Sequence, residues 1–244
     1  MIRYLFVFVF SMLLVLHGCD SPDAFDCAKK AGDVVEEEII IEEFNRIFIY
    51  DNIELHIASG APQKVMISGG KNLIPSVNFD LVEKDLTITN GNSCNWTRSY
   101  DPITVTITTN QLIEIESGGY GLVKSMNTLN FDELTLESKD GSGDFEVSVA
   151  VNNLIIKNNS ITNMRVSGNC DDLFVGHWFN DGRFNGSDLK VKTVFVNQNG
   201  VNDIFIYAVE KITGRLTSRG NVFYFGNPDV VDVAVSGTGQ LIKK

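Results

Sequence analysis

The sequence has few of the residues from which catalytic and metal sites are commonly built. Only three of its 244 residues are histidines and four are cysteines. His56 and His177, the two histidines beyond the N-terminal segment, form no H-x-x-H pattern, and the chain has no C-x-x-C and no G-x-S-x-G. These absences argue against a zinc centre and against a serine nucleophile with a histidine base. We therefore predict no catalytic residue, no metal and no cofactor.

Helical patterns and prolines are also scarce. The chain has five prolines against twenty-one glycines, and no window of its second half carries the i, i+3, i+4, i+7 apolar spacing of a three-turn helix. The apolar runs are short, rich in Val, Ile, Leu and Phe, and bounded by Gly, Asn, Asp and Ser. This pattern is typical of strands joined by tight turns, so we predict an all-β protein.

Basic residues are outnumbered by acidic ones. The 20 Lys and Arg oppose 31 Asp and Glu, and the formal net charge is −11. A surface of this sign repels nucleic-acid phosphates and anionic headgroups, so we expect no nucleic-acid partner. With 43% hydrophobic and 21% charged residues, the composition is that of a folded globular protein.

The second half, Gln111 to Leu241, repeats a short apolar run and a turn about every twenty residues. The last apolar residues before the turns are Ile115, Leu136, Ile156, Val175, Val196, Leu216 and Val235. Their intervals are 21, 20, 19, 21, 20 and 19 residues, and a fixed period of this size is typical of a solenoid. Stacked coils of two or three strands predict a parallel β-helix. An antiparallel barrel or sandwich is the alternative.

The region from Phe44 to Thr109 is strand-like but less repetitive. Its β candidates are Ile47–Tyr50, Ile53–Ile57, Lys64–Ile67, Val77–Val82, Leu86–Thr89 and Ile103–Thr108. No Pro- or Ser-rich linker separates it from the repeats, so we expect one domain over residues 44–244. Residues 44–110 would be the cap and first coils, and residues 111–242 the repeat array. We expect the Gly-x-Gly turns of the array to serve positive φ at the corners.

The N-terminus has the pattern of an export signal. Residues 1–18 contain Arg3 and an apolar stretch of about twelve residues, too short to span a bilayer. The segment ends in Leu16-His17-Gly18-Cys19, which resembles a bacterial lipobox, so we expect Cys19 to carry the lipid. An ordinary secretory signal with Cys19 in a disulfide is the alternative. Residues 19–43 would be an acidic tether to the membrane.

The other cysteines have different predicted roles. An exported protein lies in an oxidising compartment, so we predict a Cys27–Cys94 disulfide. It would remove loop entropy on the order of 4 kcal/mol from the unfolded chain. Cys170 lies inside the repeat array and is predicted to be a buried small hydrophobe rather than a nucleophile.

Aromatic residues in turn-like stretches are the candidate binding residues. They are Trp96, Tyr100, Tyr120, Trp178 and Phe179. They would form a surface for glycan or protein, because aromatic side chains anchor many recognition surfaces. Packing within the fold is the alternative for each of them.

Acidic residues offer a weaker alternative. Asp140 to Asp144 loosely resembles one calcium-binding turn, but turn-capping is the usual duty of such residues. A polysaccharide-degrading enzyme would need Asp144 or Asp171-Asp172 aligned with Arg165 or Arg183 on neighbouring coils.

Several segments together resemble a known family. The lipobox, Phe44-Asn45-Arg46-Ile47, Cys94-Asn95-Trp96-Thr97-Arg98-Ser99-Tyr100 and the Ser-Gly-x-Gly turns at Ser117, Gly141 and Ser236 look like the putative auto-transporter adhesin family with the head GIN domain. The resemblance implies a right-handed, pectin-lyase-like β-helix without catalytic residues, exported by Gram-negative bacteria for adhesion. The turns at Asn158-Asn159-Ser160 and His177-Trp178-Phe179 lack the family's glycines.

These patterns lead to three functional hypotheses. The first is a lipid-anchored protein of the cell envelope, with the outer membrane as the expected site, whose β-helix presents a repetitive surface to glycan or to an envelope or host protein. The second is a structural or assembly protein of the periplasm. The third is a polysaccharide-degrading enzyme. Exposure at the cell surface separates the first two.

Overall fold

The computed structural model describes residues 29–93, 102–178 and 181–244. Seventeen strands and one short 3-10 helix, Ile74–Ser76, form the regular structure of these residues. The strands are β1 (Val34–Ile39), β2 (Arg46–Ile49), β3 (Ile53–Ser59), β4 (Lys64–Gly70), β5 (Val77–Val82), β6 (Asp85–Asn90), β7 (Ile103–Thr109), β8 (Glu114–Ser117), β9 (Val123–Ser125), β10 (Leu129–Lys139), β11 (Phe145–Asn159), β12 (Asn163–Trp178), β13 (Arg183–Asn199), β14 (Ile204–Leu216), β15 (Val222–Phe225), β16 (Val230–Val235) and β17 (Leu241–Lys243).

The repeat array is a parallel β-solenoid, as predicted. Strands β10 to β14 pair in parallel, each with the next, and β15, β16 and β17 continue the ladder. The partners lie one sequence repeat apart: Leu136 pairs with Ile156, and Ile156 with Val175. Parallel pairing at this interval excludes the antiparallel barrel or sandwich.

Each coil has two sides, and β11 shows where they meet. Burial alternates along Phe145–Val151 and again along Leu154–Asn159, but Asn152 and Asn153 are both exposed, and Asn152 is absent from the pairing with β10. We call the strand portions aligned with Phe145–Val151 the first side and those aligned with Asn153–Asn159 the second side. The corner at Asn152 lets one long strand serve both sides of the coil.

Inward side chains of successive coils form continuous apolar rows. On the first side the row is Val123, Phe145, Met164, Phe184, Ile204 and Val222. On the second side it is Ile115, Leu136, Ile156, Val175 and Val196. Every member of both rows is at most 1% exposed. Full burial of such a side chain contributes about 1.5–3 kcal/mol, so these rows are the main stabilising element of the coils.

One predicted repeat interval is wrong. Val196 pairs with Gly214 rather than with Leu216, which pairs with Gln198. The register shifts between Gly186 and Lys190 and again between Val191 and Thr193. The coil that follows Val196 therefore contains fewer residues than the interval from Val196 to Leu216 predicted.

The N-terminal coils are not stacked in chain order. Strand β2 pairs in parallel with both β6 and β8, and β3 with both β7 and β9. The β2–β3 coil therefore lies between a later coil on one side and the start of the repeat array on the other. Strands β1, β4 and β5 pair antiparallel, in the order β1–β4–β7 and β5–β6, and they cover the open edge of the sheet.

Part of the predicted tether belongs to this cap. Val34–Ile39 forms β1 and pairs along its length with β4. The prediction that all of residues 19–43 form a tether is therefore wrong for this strand. Val35 and Ile39 are half-buried against the core while Glu36, Glu37 and Glu38 face solvent. The physical reason is that β4 would otherwise leave its backbone groups unpaired at a sheet edge.

The Ser-Gly-x-Gly turns need glycine for close approach and not for positive φ. None of their glycines has a positive φ, which the structure assigns to Gly32, Gly168, Gly214 and Gly226. A Cβ on Gly121 would overlap the carbonyl oxygen of Ile53 on the neighbouring coil. The expectation of positive φ at these corners is therefore wrong, and stacking of the turns is the constraint.

Several predictions fall outside the described residues. The signal segment 1–18, Cys19, Cys27 and Cys94 are among these, so the lipidation and the disulfide remain predictions. Cys170 is described, 3% exposed and unpaired, and burial raises the pKa of its thiol to about 12. Within the described ranges, no helix combines the length and hydropathy needed to span a membrane.

Candidate functional site

An apolar row faces solvent on the second side of the solenoid. Ile155, Phe174 and Phe195 occupy one register position on three successive coils. Each precedes an inward residue of the apolar row, so strand alternation turns it outward. Ile155 is 38% and Phe195 42% exposed. The Phe174 and Phe195 rings are stacked, with centroids 5.7 Å apart and an interplanar angle of 8°.

Trp178 extends this row along β12. A Cβ on Gly176 would meet the six-membered ring of the Trp178 indole, so the indole lies directly over Gly176. The Trp178 and Phe174 ring centroids are 6.1 Å apart. We call Ile155, Phe174, Phe195 and Trp178 the aromatic surface. The absence of a side chain at Gly176 allows the indole to lie flat against the sheet.

Polar groups border the aromatic surface on one side. Asn153, Asp172 and Thr193 are in register, two residues before Ile155, Phe174 and Phe195. With Glu133 they line a groove of about 340 Å³ whose floor includes the two Phe rings. Aromatic rings beside a few carboxylate, amide and hydroxyl groups are able to bind a ligand with one apolar face and several hydrogen-bonding groups.

The structure places only some of the predicted binding residues on this surface. Trp178 belongs to it, and Tyr120 lies in the turn between β8 and β9, 68% exposed. That turn is three coils from Trp178, or about 14 Å at the spacing of paired strands. Trp96, Tyr100 and Phe179 lie outside the described residues. Tyr120 is therefore not part of the same contact cluster.

Phe174 and Phe195 were missed by the sequence analysis, although the sequence carried the signal. Each stands immediately before an inward residue of the repeat, Val175 or Val196. Period-two alternation predicts that such a residue points outward, and the repeat interval predicts that the two are neighbours.

His177 lies inside the solenoid. It belongs to a buried polar row, Ser117, Ser138, Asn158, His177 and Gln198, whose members are each at most 2% exposed. Both ring nitrogens of His177 lack a hydrogen-bond partner. Burial lowers the pKa of the imidazole to about 4. An enclosed imidazole cannot contact a ligand at the surface, so His177 is not part of the candidate binding site.

Asn158 and Gln198 explain why the row is polar. The Asn158 oxygen accepts the backbone N–H two residues on, at 3.2 Å, and its amide donates to the carbonyl four residues on, at 2.9 Å. Gln198 makes the same two contacts at 3.0 and 2.6 Å. These side chains hold the turn that follows each strand from within. His56, by contrast, is on the surface, with its Nε2 3.6 Å from Glu54 Oε2.

The Asp and Arg residues weighed for an enzyme are partly brought together. Asp144, Arg165 and Arg183 line one cleft of about 420 Å³ on the first side. Asp144 is the only carboxylate among the residues lining it, and Asp144 Oδ1 accepts hydrogen bonds from the backbone and side-chain nitrogens of Asn163 at 2.9 and 3.1 Å. Asp171 instead pairs with Lys192 Nζ at 2.7 Å. The pair of carboxylates that glycosidases use is not present in this cleft.

The two aspartates of the turn from Asp140 to Asp144 have structural roles. Asp140 adopts φ 59° at the surface, while Asp144 caps the next coil through Asn163. In the parts of the chain that the structure describes, no three His, Cys, Asp or Glu side chains converge closely enough to hold a metal ion.

One known protein family matches most of the chain. The model of the family described as "Putative auto-transporter adhesin, head GIN domain" matches residues 43–228. No protein with a curated function matches the sequence.

Solved structures resemble the chain over most of its length. A crystal structure named as a putative adhesin from Bacteroides fragilis has 22% sequence identity and a TM-score of 0.77, covering 87% of this chain and 97% of its own. A protein named as a putative lipid binding protein from Parabacteroides distasonis has 16% identity and a TM-score of 0.66, with the same coverages. A putative adhesin from Parabacteroides merdae has 16% identity, a TM-score of 0.58 and again 87% and 97% coverage. At these identities the structural similarity shows the fold.

Proposed function

The chain belongs to the family described as "Putative auto-transporter adhesin, head GIN domain", and on that premise we propose that it is a non-catalytic binding protein whose aromatic surface holds glycan. Membership of this adhesin family indicates a bacterial cell-surface or envelope protein. The observation that carries the proposal is the stacked, outward pair Phe174 and Phe195 beside Asp172 and Asn153.

The aromatic surface suits an extended sugar chain. Sugar rings have an apolar C–H face that packs on aromatic rings and hydroxyl groups that bond to carboxylates and amides. The groove crosses four neighbouring strands, β10 to β13, with Glu133 on the first and Thr193 on the last, and its rows repeat at about 4.8 Å. Such a surface makes many weak contacts along a polymer instead of enclosing a small molecule.

Mutation of the two rings tests this proposal. Full burial of an exposed Phe side chain contributes about 1.5–3 kcal/mol. Phe195 is 42% exposed and Phe174 is half-buried, so a ligand can bury less than half of each ring, and Phe174→Ser with Phe195→Ser should lower glycan affinity about 10-fold. The measurement is binding of purified protein to a panel of immobilised glycans, followed by titration of each hit. The matched control, Val82→Ser with Val230→Ser, removes two exposed apolar side chains elsewhere and should leave binding unchanged.

Three results would refute the proposal. They are no binding to any glycan, equal binding by the wild type and the double Phe variant, and equal loss in the control variant. A thermal unfolding curve for each variant separates lost contacts from lost folding, because all four substituted residues lie at the surface or are partly exposed.

We further propose that lipid on Cys19 anchors the protein and that a Cys27–Cys94 disulfide ties the anchor segment to the solenoid. The lipobox resemblance supports the first proposal, and the oxidising compartment of an exported protein supports the second. Cys19→Ala should release the protein from the membrane fraction. Retention of that variant in the membrane would refute lipid anchoring.

A further inference from the structure

A second cleft lies on the first side of the solenoid, apart from the aromatic surface. Its volume is about 420 Å³, and Arg165, Arg183, Asn185 and Phe205 line it together with Asp144. Arg165 is in register with Asn185, and Asn185 with Phe205. A guanidinium, an amide and an aromatic ring therefore follow one another along the solenoid at about 4.8 Å spacing.

Arg183 departs from the pattern of its corner. At the same register position, the side chains of Asp144, Asp203 and Asn221 each accept the backbone N–H of the next coil. Asp144 Oδ1 accepts from Asn163 at 2.9 Å, and Asp203 Oδ1 accepts from Asn221 at 3.1 Å. Arg183 stands between these pairs, in register with Asn163, and a guanidinium has no acceptor atom. The fold does not explain an arginine here.

The two guanidinium groups are free for a ligand. The ion pairs of the described residues involve other basic side chains, among them Arg46, Lys64 and Lys192, and neither Arg165 nor Arg183 belongs to one. Both side chains are exposed. They are diagonal neighbours on adjacent strands, about 7–8 Å apart at the backbone, so both can reach one anionic group.

We propose that this cleft binds an acidic sugar residue, with Arg165 and Arg183 holding its carboxylate or sulfate group. Asn185 then meets the hydroxyls, and Phe205 carries the apolar face of the ring. The Phe205 ring is supported by stacking on Phe223, with centroids 4.9 Å apart. Among the residues that line the cleft, two arginines face one carboxylate, Asp144, and this excess of positive charge is complementary to an anionic ligand.

Carboxylates at the edge of the cleft limit where the anionic group can lie. Glu146 is in register with Arg165 on the preceding coil, and Asp144 lines the cleft beside it. These two groups repel an anion placed further towards the N-terminal coils. The charged group of the sugar is therefore confined to the arginine pair, and its ring extends towards Phe205.

The proposal is independent of glycan binding at the aromatic surface, and one titration series keeps the two apart. Purified protein is titrated calorimetrically with an oligosaccharide of galacturonic acid, a sulfated galactose oligosaccharide and a neutral galactose oligosaccharide. The variants are Arg165→Gln, Arg183→Gln, their double, and the Phe174→Ser with Phe195→Ser double. Arg219→Gln is the control, since Arg219 is exposed in a turn of another coil.

The expected result is binding of at least one acidic oligosaccharide by the wild type. Each arginine variant should weaken it about 10-fold or more, because a hydrogen bond to a charged group contributes about 1.5–3 kcal/mol. The binding should weaken with added salt, while Arg219→Gln and the Phe double variant retain it. Whether the carboxylate or the sulfate ligand binds identifies the anionic group.

Other outcomes overturn the proposal. These are no binding of either acidic ligand, equal affinity in the wild type and the arginine double variant, equal loss in Arg219→Gln, and equal affinity for the neutral ligand. Arg165→Lys with Arg183→Lys retains the charge and provides a second test if the glutamine variants are unstable. It should bind better than the glutamine double variant.

Discussion

Replacing His177 by leucine should stabilise the protein, and increasingly so as the pH falls. His177 is fully buried with both ring nitrogens unpartnered, and an unpaired buried polar group costs about 1–3 kcal/mol. Its row continues in Leu216, also fully buried and in register with Gln198, so the row tolerates a leucine. Near pH 7.5 we therefore expect His177→Leu to gain about 1–3 kcal/mol in the free energy of unfolding.

The pH dependence follows from the pKa of the imidazole. Burial lowers it from 6.5 to about 4 in the folded protein, so the unfolded state binds the additional proton between these values. The His177 contribution to the free energy of unfolding is therefore fully present above pH 6.5. It decreases as the pH falls from 6.5 towards about 4, and below that pH it is lost. At pH 4.5 the loss due to His177 alone is roughly 2–3 kcal/mol.

Equilibrium unfolding in urea at pH 7.5 and pH 4.5 measures this difference. Carboxylates contribute equally to the wild type and to His177→Leu, so the difference between the two proteins isolates the histidine. His56→Gln is the control, and it should keep the acid-dependent loss because His177 is retained. The reasoning is refuted if His177→Leu is less stable than the wild type at pH 7.5, or if its advantage does not grow at pH 4.5.

Three further predictions concern the fold. Phe145→Ala leaves a cavity in the inward row of the first side and should lower the free energy of unfolding, measured in urea, by about 3–5 kcal/mol. A decrease under about 1 kcal/mol would contradict the stabilising role of this row. Gly121→Ala places a methyl group on the Ile53 carbonyl and should destabilise by about 2 kcal/mol or more, whereas Gly60→Ala meets only a side-chain methyl at 3.1 Å and should cost less. Cys170 should resist iodoacetamide in the folded protein and react in urea, because burial raises its pKa to about 12; equal rates would show that it is accessible.

The strands and their stacking could be predicted because both depend on local sequence. Val77–Val82 was predicted with the bounds that β5 has, and Ile53–Ile57 lies within β3. Alternation fixes the faces of a strand, and the constant repeat fixes which coils are neighbours.

What could not be predicted depends on pairing between distant segments. The sequence has no local signal that Ile47 pairs with both Leu86 and Ile115, which places the first coil between two later ones. The register shift that pairs Val196 with Gly214 is equally invisible in the apolar spacing.

That the candidate site would consist of aromatic residues could be predicted from the sequence, but only some of the residues could be named. Trp178 was named from its place in the chain, and the structure packs it against Phe174. Phe174 and Phe195 required the register of the coils. Arg165 and Arg183 were named for an enzyme, and the structure places both at one cleft with a single carboxylate, Asp144, in its lining.

Protease treatment of intact cells tests most directly whether this protein is a surface-exposed binding protein. Cells are treated before and after lysis, and the protein is followed by immunoblotting with a periplasmic protein as the control for leakage. The account predicts digestion in intact cells while the periplasmic control survives. Full protection until lysis would contradict it and favour a structural or assembly role in the periplasm.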